Sequence, residues 1–294
     1  LPERPISLSA VKVFALAALS GLLAGIAAAF ARRSIKHGVE DPLEIEEMVN
    51  LPVYASIPYS SMQSKLQSRS ASLTQQVPLL AQDASRDPSM ESLRKFRAVL
   101  GYALSQARNN VVLILSPTAG NGKSFISSNL AVLFGLANKR VLIIDADLRN
   151  GDLHCYFRVP QEGGLAEALS SAKHIEELIR QEVAPNVDLI TSGTLPRESE
   201  LLLRPTLQSL LELLSPRYDV VLINGAPLLE VSDSLALGTH AGSIYVVAKS
   251  AVSTVREIGE TVRILRQAGL CAKGCILNST KTRSNPYAYQ YRYR

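Results

Sequence analysis

The chain has 294 residues, of which 47% are hydrophobic, so it can bury a sizeable core and is not generally disordered. Its net charge of +5 lies at the two ends: residues 1–40 carry +3 and residues 281–294 carry +4, which leaves −2 for the 240 residues between them. The middle of the chain therefore lacks the basic surface of a nucleic-acid-binding protein, and its histidines and cysteines show no metal-ligand spacing. Because the chain starts at Leu1, we interpret it as part of a longer protein.

An uncharged apolar stretch comes first. Val13–Ala31 contains 19 residues without a charge, and about 20 cross a bilayer as a helix. Arg32, Arg33 and Lys36 follow it, so the positive-inside rule places that end in the cytoplasm. We predict a transmembrane helix at residues 13–33, after a proline-containing periplasmic segment at 1–12. A signal peptide is the alternative, but its basic cluster would come before the apolar stretch.

Residues 34–87 are predicted to be a juxtamembrane segment and a linker. Asp41 precedes Pro42, a pair that is typical of a helix start, and a short extended run follows before Ser60. Residues 60–77 are polar and show no periodicity. We therefore predict that they form a flexible linker.

Residues 88–280 alternate helical patterns with short apolar runs, which are typical of buried parallel strands. The predicted strands lie at 111–115, 140–145, 187–191, 219–224, 243–249 and 273–278. The predicted helices include 90–107, 123–137, 200–214 and 254–268. This alternation predicts an α/β fold with a doubly wound parallel sheet, whose binding site forms where the strands end.

The sequence SPTAGNGKSF connects the first of these strands to a helix. Glycines let backbone N–H groups close around phosphate oxygens, and a helix N-terminus favours an anion. The motif G-x-x-x-x-G-K-[ST] is present except for its first glycine, where Pro117 stands. We expect Lys123 to contact phosphates and Ser124 to bind Mg²⁺. The predicted nucleotide-binding residues are Ala119, Gly120, Asn121, Gly122, Lys123, Ser124 and Phe125. These features indicate a P-loop NTPase with deviant Walker motifs.

Polar residues also end the next two apolar strands. Asp145 and Asp147 can hold Mg²⁺ through water and accept a proton from an attacking hydroxyl. Asn224 stands where a phosphate-loop enzyme usually has the aspartate that holds Mg²⁺-bound water. It keeps an acceptor oxygen but has no charge, so we expect weaker metal binding or a lower rate unless the two aspartates compensate. The predicted metal site comprises Ser124, Asp145 and Asn224.

With these motifs the chain resembles the bacterial tyrosine kinases (BY-kinases) that are fused to a polysaccharide co-polymerase. The resemblance extends over essentially the whole chain and includes the upstream EDPLEIEEMVNLPVYASIPYS region. Its motifs are SPTAGNGKS (Walker A), VLIIDADLR (Walker A′), VLINGAP (Walker B), ESLRKFR and the terminal tyrosine cluster. The first Walker B aspartate of the family falls on Asn224, and this departure reduces the catalytic strength that we expect.

The resemblance implies an ATP- and Mg²⁺-dependent kinase in which Lys123, Asp145 and Asp147 are catalytic. It places Asn278 near the adenine. It also implies a homo-oligomeric ring, joined through the E-x-x-R-x-x-R residues Glu91, Arg94 and Arg97. From the residues alone, Glu91 and Arg94 form an ordinary pair on a helix surface.

The C-terminal segment 281–294 is predicted to be a flexible tail whose tyrosines are substrates of a neighbouring copy: Tyr287, Tyr289, Tyr291 and Tyr293. Each phosphotyrosine adds about −1.5 to −2 charges, enough together to invert the charge of a basic tail. The resemblance further implies an inner-membrane location with a cytoplasmic kinase domain. It implies polysaccharide polymerisation and export machinery and a tyrosine phosphatase as partners, and no nucleic acid.

Three alternatives remain open at the sequence level. The chain can be a nucleotide-dependent assembly switch of a co-polymerase, with weak or no kinase activity. Its tail can be a frayed polar end in which the tyrosines are accidental. The tyrosines and arginines can stack on single-stranded nucleic acid, although the negative middle of the chain disfavours this.

Overall fold

A computed structural model describes residues 10–35, 38–70, 77–170, 175–194 and 205–281. The chain divides into two compact units, Leu1–His37 and Gly38–Arg294. The first contains helix α1 (Ala10–Ile35). Across the ranges just given, no helix combines the length and the apolar character that a bilayer crossing requires. The helix predicted at residues 13–33 is therefore present, but its prediction as a membrane span is not confirmed.

The second unit is built on one eight-stranded sheet with the order β1-β8-β7-β2-β6-β3-β5-β4. The strands are β1 (Val53–Pro58), β2 (Val111–Ser116), β3 (Val141–Asp145), β4 (Arg180–Ala184), β5 (Val187–Ile190), β6 (Val220–Pro227), β7 (Ser243–Lys249) and β8 (Gly274–Thr280). All neighbouring pairs are parallel except the edge pair β4 and β5, which is antiparallel. The six predicted strands correspond to β2, β3, β5, β6, β7 and β8.

Helices cover both faces of this sheet. They are α2 (Pro42–Val49), α3 (Ser61–Ser70), α4 (Leu80–Asp83), α5 (Pro88–Ser105), α6 (Lys123–Gly135), α7 (Leu153–Phe157), α8 (Leu165–Ser170), α9 (Pro205–Leu214), α10 (Asp233–His240) and α11 (Val255–Gln267), with short 3-10 turns at Ile175–Leu178 and Ser215–Arg217. The side chains of β2 alternate between two hydrophobic clusters, one packed under α2, α9 and α11 and the other under α5 and α6. This alternation is why every residue of the strand is apolar up to its last position.

The compact unit begins upstream of the predicted boundary at residue 88. Strand β1 forms the edge of the sheet beside β8, and Ile45 and Val49 of α2 are buried in the core. At the other end, Lys281 forms an ion pair with Glu40 across 2.8 Å. Residues 38–58 are therefore part of the fold. Their role was not apparent from the sequence because the partner strand of β1 lies more than 200 residues later.

Part of the predicted flexible linker at 60–77 is helical. The hydroxyl oxygen of Ser60 accepts a hydrogen bond from the backbone N–H of Gln63 and donates one to Asp87, so it caps α3 and attaches it to the start of α5. Residues 71–76 lie outside the described ranges. The helix predicted at 200–214 is described from Pro205 onward as α9, and 195–204 also lie outside.

Candidate functional site

The loop between β2 and α6 adopts backbone angles that require glycine. Gly120 has φ 76° and Gly122 has φ 93°, both in the left-handed region. A Cβ on Gly122 would lie 2.1 Å from Nδ2 of Asn278, so the loop also needs glycine here for space. Helix α6 begins at the next residue, Lys123. The resulting turn has the strand–loop–helix arrangement that binds phosphate groups.

Lys123 is buried at the mouth of this loop, with 7% of its surface exposed. Burial lowers the pKa of its ammonium group, while the carboxylates of Asp147, Asp152 and Asp145 act in the opposite direction. The ammonium group and the N-terminus of α6 both favour an anionic ligand, and the neighbouring carboxylates favour the charged form of the ammonium group.

Asp145, at the end of β3, is completely buried. Its Oδ2 accepts a hydrogen bond from the backbone N–H of Leu153 at 3.0 Å, and its Oδ1 accepts one from the amide of Asn224 at 3.2 Å. Burial, helped by the negative charge of Asp152, raises the pKa of the Asp145 carboxyl to about 7. Asp147 is nearly buried and accepts a hydrogen bond from the backbone N–H of Asn150.

Asn224 on β6 connects the acidic residues to the phosphate loop. Its Nδ2 donates to Oδ1 of Asp145 and, across 3.4 Å, to the hydroxyl of Ser124. Its Oδ1 accepts a hydrogen bond from Ser127 at 3.2 Å. The side chain is 1% exposed, so these contacts are shielded from water. An asparagine can donate to Asp145, whereas an ionised aspartate at this position would repel it.

Asp152 is a site residue that our sequence reasoning missed. Burial raises the pKa of its carboxyl, and a hydrogen bond from Ser124 and the charge of Lys123 oppose this shift. Its Oδ1 is buried and has no hydrogen-bond partner among the described residues. Gly151 lets this segment approach closely, because a Cβ there would lie 2.8 Å from Oδ2 of Asp145. The only sequence signal was its position five residues after Asp147.

A cavity of about 310 Å³ opens beside the loop. The residues that line the cavity lie around Gly120 and Gly122 and carry aromatic or polar side chains: Tyr59, Gln63, Phe125, Tyr156, Lys249 and Asn278. Rings and hydrogen-bonding groups around a space of this size suit a nucleoside. The cavity continues directly from the phosphate loop, so one ligand can occupy both.

Other predicted residues of the loop make contacts within the protein. The backbone N–H of Ala119 donates to Glu230 at 2.6 Å. Asn121 is fully buried, and its Oδ1 has no hydrogen-bond partner within the described ranges. The structure thus brings together the predicted loop residues, Asp145, Asp147, Asn224 and Asn278. In the described part of the chain, no three His, Cys, Asp or Glu side chains gather as a metal-ligand set.

The residues predicted to join subunits lie on α5. Arg94 contacts Glu91 at 3.3 Å and the carbonyl oxygen of Ser85, and Arg97 donates to the carbonyl oxygen of Leu133 at 2.8 Å. These are contacts within the chain, and a ring stays a prediction. The predicted phosphorylation sites lie outside the described residues: Tyr287, Tyr289, Tyr291 and Tyr293.

Comparison with known proteins identifies similar sequences and folds. A family model described as an AAA domain matches residues 109–269. The chain is 38% identical over 289 residues to the tyrosine-protein kinase ptk of Acinetobacter johnsonii, with 97% of this chain and 39% of that protein covered. The chain thus spans about two fifths of the length of the curated relatives it matches.

Two solved structures are similar over nearly their whole length. The BceF tyrosine kinase domain is 41% identical with a TM-score of 0.77, and the match covers 82% of this chain and 98% of that one. The kinase domain of the Escherichia coli tyrosine kinase ETK is 36% identical with a TM-score of 0.78, covering 87% of this chain and 100% of that one.

Proposed function

Since the chain belongs to the bacterial tyrosine kinase (BY-kinase) family, we propose that it transfers the γ-phosphoryl group of ATP to tyrosine hydroxyls. The observation that carries the proposal is the position of Lys123, buried at the start of α6 between a left-handed glycine loop and the carboxylates of Asp145 and Asp147. This arrangement supports binding of a polyphosphate next to groups that can accept a proton.

The residues present fit ATP and Mg²⁺. The space beside Gly120 is open, which leaves room for phosphate oxygens against the backbone there, and the adjoining cavity of about 310 Å³ suits the nucleoside. Ser124, Asp145 and Asp147 offer the oxygen ligands that Mg²⁺ prefers, with Asn224 as a neutral neighbour. A bound Mg²⁺ would neutralise negative charge on the phosphates during transfer.

The chain's own residues supply positioning and a proton acceptor. Lys123 orients the terminal phosphate through its charge, and the N-terminus of α6 adds its dipole. As the tyrosine oxygen bonds to phosphorus and the bond to the leaving ADP breaks, a carboxylate takes the phenolic proton. Asp147 and Asp145 are the candidates for that base.

We propose that the substrate tyrosines are those of the C-terminal segment of a neighbouring copy: Tyr287, Tyr289, Tyr291 and Tyr293. Glu91, Arg94 and Arg97 on α5 would then bring copies together as a ring. In the whole protein the activity would regulate capsule or exopolysaccharide polymerisation and export, with a tyrosine phosphatase to reverse it. Attachment to the inner membrane through residues 13–33 stays a prediction from the sequence.

Asn224 favours a second candidate function. A neutral amide replaces a charge beside Ser124 and satisfies Asp145 without a metal ion. A chain with this site can bind nucleotide and change its assembly while catalysing slowly. The alternative is therefore a nucleotide-dependent assembly switch.

The intact mass of the protein expressed in cells distinguishes the two. We expect added phosphates on the wild type and none on Lys123→Met, with fragmentation placing them on the terminal tyrosines. Lys139→Met, which changes an exposed lysine, is the matched control and should resemble the wild type. Unphosphorylated wild type that still binds ATP would overturn the kinase proposal and favour the switch.

A further inference from the structure

The side chain of Asn278 contacts the phosphate loop. Its Nδ2 donates to the backbone carbonyl oxygen of Asn121 at 3.0 Å, in a contact that is buried. The two residues are 157 positions apart, and Asn278 lies near the end of β8. The same Nδ2 occupies the space where Gly122 would otherwise carry a Cβ. One amide thus contacts two successive residues of the loop.

The remaining polar atoms of Asn278 are also engaged within the protein. Its Oδ1 accepts a hydrogen bond from the backbone N–H of Ser279 at 2.8 Å, and its backbone carbonyl accepts one from Ser250. The side chain is only 6% exposed. A primary amide has two N–H donors and an oxygen with two lone pairs. One donor and one lone pair of Asn278 are bound to Asn121 and Ser279, so the protein itself holds this side chain in an orientation that contacts the loop.

We propose that Asn278 is a positioning residue that fixes the shape of the phosphate loop and does not select the base. The carbonyl of Asn121 lies one residue before the left-handed Gly122, and holding it sets the peptide plane that directs the next N–H groups toward phosphate. The sheet end at β8 is thereby coupled to the loop. This inference rests on the proposed nucleotide binding at the same loop.

The decisive variant is Asn278→Ala, which removes the donor without adding charge. The measurement is the dissociation constant, by calorimetry, for ATP, GTP and inorganic tripolyphosphate. A residue that shapes the loop affects all three equally, and loss of one hydrogen bond corresponds to a weakening of up to about tenfold. Tripolyphosphate has no base, so a residue that reads the base cannot change its affinity. Weakening of ATP alone, or no weakening, would overturn the proposal.

Cys275→Ala is the matched control for lost packing. Cys275 is fully buried on the same strand and three positions earlier, so its truncation lowers stability without touching the loop. We expect Cys275→Ala to keep wild-type affinity for all three ligands. If it weakens them as much as Asn278→Ala does, the effect belongs to the strand's stability and the proposal fails.

Amide hydrogen exchange tests the inference independently of any ligand. In the protein without nucleotide, Asn278→Ala should speed exchange of the amides from Gly120 to Ser124 and leave those of β3 unchanged. Unchanged loop exchange would contradict the proposal. Because this measurement needs no catalysis, it separates failure of the positioning role from failure of the proposed kinase function.

Discussion

Asn224 donates its side-chain amide to the Asp145 carboxylate across 3.2 Å, entirely out of contact with water. A neutral amide therefore stands against an acid whose pKa is already raised by burial. The amide of Asn224 thus provides a hydrogen-bond partner for one oxygen of Asp145. The same neutrality leaves one charge fewer for a metal ion.

Replacing Asn224 with aspartate should lower the stability of the metal-free protein and strengthen the binding of a metal ion. Without metal, Asn224→Asp places two carboxyl groups within hydrogen-bond distance and should lower the melting temperature, because one of them must stay protonated. With Mg²⁺ and nucleotide, the added charge should strengthen binding and raise autophosphorylation. Thermal melts with and without Mg²⁺-ADP measure stability and binding, and the intact mass measures autophosphorylation. A variant that is as stable as the wild type without metal would contradict the repulsion.

Asp145→Asn should make the metal-free protein less sensitive to pH. The folded-state pKa of Asp145, about 7, lies above its ordinary value of 3.8, so the folded protein holds this proton more tightly than the unfolded chain. The resulting stability is complete below about pH 4 and is lost as pH rises to 7, at a total cost on the order of 4 kcal/mol, of which about 3 kcal/mol falls between pH 5 and pH 8. Urea unfolding at pH 5 and pH 8 should show a smaller difference for the variant. An equal difference in both proteins would mean that groups other than Asp145 cause the pH dependence.

Gly120→Ala and Gly122→Ala form a matched pair. Both glycines have left-handed φ values, so both changes introduce backbone strain of about 1 kcal/mol. Only at residue 122 would the new Cβ also meet Nδ2 of Asn278, whereas nothing lies within 4 Å of one at residue 120. We expect Gly122→Ala to lower the unfolding free energy by clearly more than Gly120→Ala. Equal losses in chemical denaturation would mean that Asn278 moves aside freely.

Tyr245→Phe should be neutral or stabilising by about 1 kcal/mol, because it removes a buried hydroxyl that lacks a hydrogen-bond partner among the described residues. The ring stays in place against Tyr54 and Phe96, whose centroids lie 5.5 and 5.3 Å away in edge-on arrangements. Phe96→Leu is the control and should destabilise through lost ring contact. Urea unfolding measures both, and a destabilised Tyr245→Phe would indicate a bound water at the hydroxyl.

The central strands and the phosphate loop were predictable because each has a local signal. Strand β2 is apolar up to its last residue, Ser116, since both faces of the sheet are covered, and the glycine loop with Lys123 follows within a few residues. Strand β1 lacked such a signal, because its place depends on pairing with β8 at the far end of the chain. Helix α3 was missed because its cap involves Asp87, which lies 27 residues away from Ser60.

Most residues of the site were predictable from the sequence, but the contacts between them were not. The sequence identified Asp145 and Asn224 as strand-end residues, but their hydrogen bond depends on β3 and β6 being neighbours in the sheet. Asp152 belongs to no motif and enters the site because Gly151 permits a close approach. Asn278 was placed near the base by resemblance, whereas its contact with Asn121 becomes visible only when the strand and the loop are seen together.

The ion pair between Glu40 and Lys281 brings together the two ends of the described part of the sheet unit. Because these residues touch, residues 38 and 281 lie near each other on its surface. A circular permutant that joins residues 281 and 38 by a short linker and opens the chain at another exposed loop should keep the same strand order.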